Sequence, residues 1–212
     1  MNENLQINTL LFDWDGTLAD SAHLGLIAFE KTFAELGVPF EHAVYEATYS
    51  PNWYSTYEAL GLQKERWQVA DEIWTRHYGE QTAPLIDGVG ETLIALRANG
   101  YQLAIVTSGT RSRVLREVQQ SVLCDAFTVI VCNEDIVNKK PHPEGLLKAI
   151  HSMNVPASQC AYVGDAPEDI EMGRGGNVMT IAVRSNYPSS ARLLSAKPDL
   201  YLERLAELID HF

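Results

Sequence analysis

The sequence predicts an α/β protein: a parallel sheet covered by helices on both faces, with an all-helical segment inserted after its first strand. Three observations carry this reading. Five short apolar runs recur along the chain, helical patterns separate the later ones, and residues 18–84 break that rhythm with an aromatic-rich helical stretch. With 212 residues and 46% hydrophobic content, the chain can bury one good core and a small second one.

The first run, "NTLLFD" near 8–13, is short, apolar on both faces and bounded by polar residues, as a buried strand requires. "DSAHLGLIAFEKTFAELG" then reads as a helix, with Asp20 or Ser21 as N-cap, Leu26, Phe29, Phe33 and Leu36 at helical spacing, and Gly37 as the stop. The rest of the insert, through "WQVADEIWTRHYG", is also helical and ends before Pro84. It holds 11 of the chain's 19 aromatic residues, enough for a small core of its own rather than a substrate box. Residues 1–17 and 85–212 form the other domain. There "QLAIVT" (102–107), "TVIVC" (128–132), "CAYVGD" (160–165) and "TIAVR" (180–184) read as strands. "RSRVLREVQQ", "PEGLLKAIHSMN" and "PEDIEMGRGGN" read as the intervening helices, with Gly109 opening the first of them. Short links between alternating units imply parallel strands, and ligands then bind beyond their carboxyl ends. Asp13, Thr107, Glu134, Asp135 and Asp165 all fall there.

A net charge of −12 argues against a nucleic-acid partner, which needs a basic face. No apolar run approaches the roughly 20 residues of a membrane span, and no leader pattern opens the chain. Cys124, Cys132 and Cys160 have no CxxC spacing and read as reduced packing residues, which suits a cytoplasmic protein. The sequence leaves the oligomeric state open.

"LLFDWDGTLADS" (10–21) places two carboxylates one residue apart. In an extended segment Asp13 and Asp15 project to one side, which is costly unless a cation lies between them or one carries a proton. Both remedies serve catalysis, the first by neutralising an incoming phosphate, the second by setting a general acid beside a nucleophile. Gly16 lets the backbone come close, and Thr17 sits where a helix begins and free N–H groups favour anions. "VTSG" supplies the Thr107 and Ser108 hydroxyls, and "NKKPHP" supplies Lys140, a point charge suited to a phosphoryl group. "VGDAPED" supplies Asp165 and, four residues on, Asp169. Lys139 and the Arg111, Arg113 and Arg116 cluster read as solvated, with Arg111, near its helix start, the one arginine assigned to substrate. His142 reads as an exposed loop residue, and His23, just after the first motif, faces the cap as a candidate for substrate contact.

"DWDGT", "VTSG", "KKP" and "GDAPED", in this order at successive strand ends, resemble the four signature motifs of the haloacid dehalogenase-like hydrolases, a superfamily with a Rossmann-like core. The insert after the first motif is similar to the small helical cap of the phosphoglycolate phosphatase and β-phosphoglucomutase-like branch. The resemblance implies that Asp13 is the nucleophile, forming an aspartyl-phosphate, and that Asp15 protonates the leaving oxygen and then activates water. Thr107 and Lys140 would hold the phosphoryl group, with Gly16, Thr17, Ser108, Gly109 and Arg111 around the substrate. Mg²⁺ would bind the carboxylates of Asp13 and Asp165 and the backbone carbonyl of Asp15, with Asp169 acting through water or orienting the site from behind. Trp14, where relatives carry a smaller residue, faces away and packs. Ala166, where many relatives carry a hydroxyl, loosens the support of Asp165.

The resemblance thus implies a Mg²⁺-dependent phosphatase of a small phosphorylated metabolite, phosphoglycolate among the candidates. A dehalogenase has no use for Asp15 and the metal site. β-Phosphoglucomutase-like members carry a His twelve residues after the nucleophile, where this chain has Gly25. Lys31 and Lys64 lack the context of a phosphonatase Schiff base, and a silent phospho-ligand-binding module would have lost a motif residue.

Overall fold

A computed structural model of the chain describes residues 7–79 and 81–212. The five strands anticipated from the apolar runs are present as β1 (Thr9–Phe12), β2 (Gln102–Val106), β3 (Val129–Val131), β4 (Cys160–Gly164) and β5 (Met179–Val183). A sixth, β6 (Leu200–Leu202), joins them in one all-parallel sheet of order β3-β2-β1-β4-β5-β6. The chain runs outward from β1 through β2 and β3, then returns to the other side of β1 as β4. The β1/β4 boundary is therefore the topological switch point, where a crevice opens beyond the strand ends.

Helices α1 (Ala22–Leu36), α2 (His42–Thr48), α3 (Trp53–Ala59) and α4 (Trp67–Tyr78) all lie between β1 and β2. They are followed by α5 (Val89–Ala98), α6 (Arg111–Gln120), α7 (Glu144–Met153) and α8 (Pro167–Gly175). Alternation along β1 decides the two faces. Leu10 and Phe12 pack in one cluster with Val89, Leu93, Val114 and Val118 of α5 and α6, while Leu11 packs in another with Leu146, Ile150 and Met172 of α7 and α8. All four β1 residues are buried, as a strand covered on both faces demands.

The α1–α4 segment has its own cluster, built on Phe29, Phe33, Tyr45 and Tyr57, with α1 packed along α4. Edge-to-face and tilted ring pairs such as Phe29–Tyr45 at 5.4 Å hold it together. The chain leaves and re-enters the sheet through paired links, Asp20 N donating to Pro84 O and Ile86 N to Leu18 O. Leu18, Ala19 and Ala83 pack with the sheet cluster rather than with the helical one.

Four local expectations change. Ser21 occupies the N-cap position of α1, but its hydroxyl makes no cap bond and is spent on Asp15. The helix after β2 opens at Arg111 behind Thr110, not at Gly109. Helix α5 is not among the elements named from the sequence, although Val89, Leu93 and Leu96 stand at helical spacing. Of the cysteines, Cys132 and Cys160 are buried, whereas Cys124 is exposed and packs nothing.

Candidate active site

The carboxyl ends of β1, β2 and β4 converge on a group of buried polar side chains. Asp13 N donates to Val163 O at 2.9 Å, which holds Asp13 at the switch point. Asp165 follows β4, and the turn after it is folded by Asp169, whose Oδ2 accepts from the backbone N–H of both Asp165 (3.1 Å) and Ala166 (3.0 Å). Gly164 permits this, because a Cβ there would lie 2.4 Å from the Asp169 carboxylate. Gly16, with φ +77°, likewise passes so close that a Cβ would meet Asp165 Oδ2 at 2.4 Å.

Lys140 ties the group together. Its buried ammonium lies 2.8 Å from Asp13 Oδ1 and 2.7 Å from Asp169 Oδ1. Oxygens of Asp13, Asp165 and Asp169 all lie within 4.8 Å of one another. Three buried carboxylates against one ammonium leave two negative charges uncompensated. Burial pushes Asp13 up to about 6, opposed by Lys140 and reinforced by the charges of Asp169 and Asp15. Asp165 is raised well above the usual carboxylate range by burial first and then by Asp169 and Asp13. A divalent cation fits this donor set, since it would supply the missing charge to hard oxygen ligands. The Asp15 carbonyl is free to join it. Among the described residues, the N–H groups of the loop go to the carbonyls of Trp14 and Ala19, and none goes to that of Asp15.

Asp165 is supported by Ser185 Oγ at 2.7 Å and, more weakly, by Thr17 Oγ1 at 3.3 Å. Ser185 thus does what a hydroxyl at position 166 was expected to do, and Thr17, four residues ahead of the N-cap Ser21 rather than at a helix start, turns its hydroxyl to Asp165. Thr107 Oγ1 accepts from Gly109 N at 3.1 Å, so its own proton remains to be donated. Asp13, Asp15, Thr107, Ser108, Gly109 and Asp165 all line one cavity of about 260 Å³. Arg111 lies off it: its backbone N–H bonds to Glu134 and its guanidinium pairs with Asp135.

A family profile described as haloacid dehalogenase-like hydrolase matches residues 10–183. The chain belongs to the haloacid dehalogenase-like hydrolases. It is 29% identical over 215 residues to a pyrophosphatase, PpaX, of Bacillus cereus (strain B4264), covering 97% of this chain and 96% of that protein. A haloacid dehalogenase-like family hydrolase from Streptococcus pneumoniae superposes with a TM-score of 0.84 at 25% identity, over 97% of this chain and 98% of that one. A β-phosphoglucomutase from Clostridium difficile superposes with a TM-score of 0.78 at 22% identity, over 96% and 93%. These relatives share the fold and differ in what their names say they act on.

A member of this site that the sequence reading did not place is Arg113. It is buried, not solvated, and grips Asp15 with both ends of its fork, Nη1 to Oδ1 at 2.9 Å and Nη2 to Oδ2 at 2.5 Å. Ser21 Oγ adds a third donor to Asp15 at 2.6 Å. Burial works against the Asp15 carboxylate, yet Arg113 and Ser21 outweigh it and hold Asp15 below its ordinary value. Behind Arg113 sits Glu117, four residues on, which also accepts from Trp14 Nε1 (2.6 Å) and Tyr78 OH (3.1 Å). Trp14 is fully buried and packs in the cluster of Leu10 and Phe12, as alternation along the strand requires, with its indole N–H held by Glu117. The readable signal was that Arg113 and Glu117 share the helical stripe of Val114 and Val118, where a solvated charge does not belong.

Lys139 also departs from a solvated role. It is half-buried over the rings of Trp53 (4.6 Å) and Tyr54 (5.3 Å) and donates to Asn133 Oδ1. The insert's aromatic residues divide: Phe33 and Tyr45 stay in the helical core, whereas Phe29, Tyr49, Trp53, Tyr57 and Trp74 also wall the cavity. His23 and His142 are exposed.

Proposed function

We propose that the protein is a Mg²⁺-dependent phosphatase that hydrolyses a small phosphorylated metabolite in the cytoplasm, carrying the phosphoryl group on Asp13. The observation that carries this reading is Lys140, one buried ammonium joining Asp13 to Asp169 beside Asp165 at the end of the sheet. Asp13 and Asp165, with the Asp15 carbonyl, would hold the metal, and Asp169 sets the Asp165 turn. Bound there, Mg²⁺ supplies the positive charge that lets a phosphate dianion approach a cluster of carboxylates.

Lys140 fixes one oxygen of Asp13 and leaves the other to attack phosphorus. The bond from phosphorus to the leaving oxygen breaks, and that oxygen takes a proton from Asp15. Water then returns a proton to Asp15 as it attacks the phosphoryl group, which frees phosphate and the Asp13 carboxylate. The Thr107 hydroxyl and the Ser108 and Gly109 turn receive the phosphate oxygens. Asp15 donates only from its neutral form, so the Arg113–Asp15 pair must part during the first half-reaction. Residues 18–84 act as a cap over the core of 1–17 and 85–212, closing through the paired links at 18–20 and 84–86 to exclude bulk water. Gly25 offers no side chain for the proton transfers of a mutase, which favours net hydrolysis.

The test is phosphate release by the purified protein across small phosphomonoesters, sugar phosphates, phosphoglycolate and pyrophosphate, with Mg²⁺ or with chelator. Turnover that disappears in chelator is expected. Turnover indifferent to chelator, or silence across the panel from folded protein, contradicts the proposal.

A further inference from the structure

Beyond Asp13, Asp15 and Asp165, the cavity is lined mainly by rings and neutral groups, with one further acid. Trp53, Trp74, Tyr49, Tyr57 and Phe29 wall it, with Ser50, Thr75 and Thr110 among the other lining residues. Its one lining cation, among the described residues, is Arg113, and that charge is committed to Asp15 and Glu117. The remaining acid is Asp71 of α4, which accepts from Trp53 Nε1 and Tyr54 OH, each at 2.8 Å. Those bonds fix the Trp53 and Tyr54 rings and leave a negative charge in the wall. Lys139 lies on the faces of the same two rings and is bound to Asn133, so it balances Asp71 rather than standing open to a ligand. Trp74 Nε1 is buried and, among the described residues, has no hydrogen-bond partner, an unusual state for an indole donor beside a cavity.

A second anionic group on a substrate would therefore enter a space with no free cation, since Arg113 is committed to Asp15 and Glu117 and Lys139 to Asn133 and Asp71. A flat ring would instead meet aromatic faces, and an acceptor on it would satisfy Trp74. The volume of about 260 Å³ suits one ring and a phosphoryl group, being at the small end of ligand sites.

We propose that the cavity selects phosphomonoesters whose alcohol part is an uncharged, flat ring system, and discriminates against substrates that carry a second anion, such as phosphoglycolate and pyrophosphate. As an account of substrate choice, this rests on the phosphatase reading above. The consequence separates this chain from the activity named for its pyrophosphatase relative.

The experiment has two arms. In the first, kcat/KM is measured with Mg²⁺ for benzyl phosphate, ethyl phosphate, phosphoglycolate and pyrophosphate. Benzyl phosphate is expected to exceed phosphoglycolate and pyrophosphate by about tenfold or more, and Trp74→Leu to collapse the benzyl-to-ethyl ratio about fivefold. In the second, benzylphosphonate and phosphonoacetate are titrated into the full chain with Mg²⁺, read by tryptophan fluorescence, since Trp53 and Trp74 stand in the wall. Benzylphosphonate is expected to bind about tenfold more tightly. Phosphoglycolate or pyrophosphate as the better substrate overturns the ring preference and leaves a phosphatase standing. No turnover with a clear benzylphosphonate preference keeps the cavity's chemistry and overturns the phosphatase reading. Equal affinity for the two phosphonates overturns the inference itself.

Discussion

At the scale of single residues, the site is a problem of charge. Asp13 carries a proton up to about pH 6 because it is buried, with Lys140 opposing and the charges of Asp169 and Asp15 adding. In the unfolded chain the same group titrates near pH ~3.9. The folded state therefore binds the extra proton between those values, and Asp13's contribution to stability is greatest below the lower one, falls as pH rises through about 6, and is flat above. Asn at position 13 has no such titration. In chelator, the melting temperature of Asp13→Asn relative to wild type is expected to rise from pH 4 to pH 7, and Mg²⁺ at pH 8 to raise the wild-type value more than the variant's. A difference independent of pH would mean that Asp13 is not strained by its neighbours. Asp13, Thr107 and Asp165 were legible because strand ends are where such folds keep their chemistry. Lys140 was legible through the Lys-Pro motif. Ser185 was not, because nothing in a lone serine after β5 reports that it faces Asp165.

At the scale of elements, α6 does more than cover the sheet. Its Arg113 and Glu117 connect the loop after β1, through Asp15 and Trp14, to Tyr78 at the end of α4. Arg113 also lies 5.0 Å from the Tyr78 ring centroid. Arg113→Met keeps much of the side chain's bulk but leaves the buried Glu117 and the partly exposed Asp15 without their cation, which costs about 3 kcal/mol. It is expected to lower the unfolding midpoint in urea and to reduce kcat more than it changes KM, because the Asp15 side chain loses its restraint. Wild-type stability in Arg113→Met would show that the pair is incidental. The helix itself is readable, but in a charge pattern alone its buried ion pair looks like a surface pair, and only its place on the stripe of Val114 and Val118 tells the two apart. Among the strands, β1 to β5 were visible as short apolar runs. Strand β6 is three residues long, half-exposed at the sheet's edge, and too short for any period to show.

At the scale of the whole molecule, a chain of net charge −12 collects its few buried cations where carboxylates are densest. Lys140 serves Asp13 and Asp169, and Arg113 serves Asp15 and Glu117. Among the described residues no helix is long and apolar enough to cross a membrane. The parallel sheet and its strand-end acids could be read from the spacing of apolar runs, whereas the strand order and the sixth strand could not, because pairing is set by packing across the sheet. The division of the insert's aromatic residues between its core and the cavity wall could not, because helical periodicity shows which residues are apolar and not which face meets the site. What unites the account is the claim that Asp13 carries the phosphoryl group. The most direct measurement is acid-quenched turnover followed by mass mapping of the peptide containing Asp13, on wild type and Asp13→Asn with Mg²⁺ and a phosphomonoester the protein hydrolyses. The account predicts a phosphoryl group on that peptide in wild type, and in Asp13→Asn neither the modification nor turnover, a loss on the order of 10³-fold or more. Phosphate release at a similar rate by both proteins, with that peptide unmodified, would contradict it.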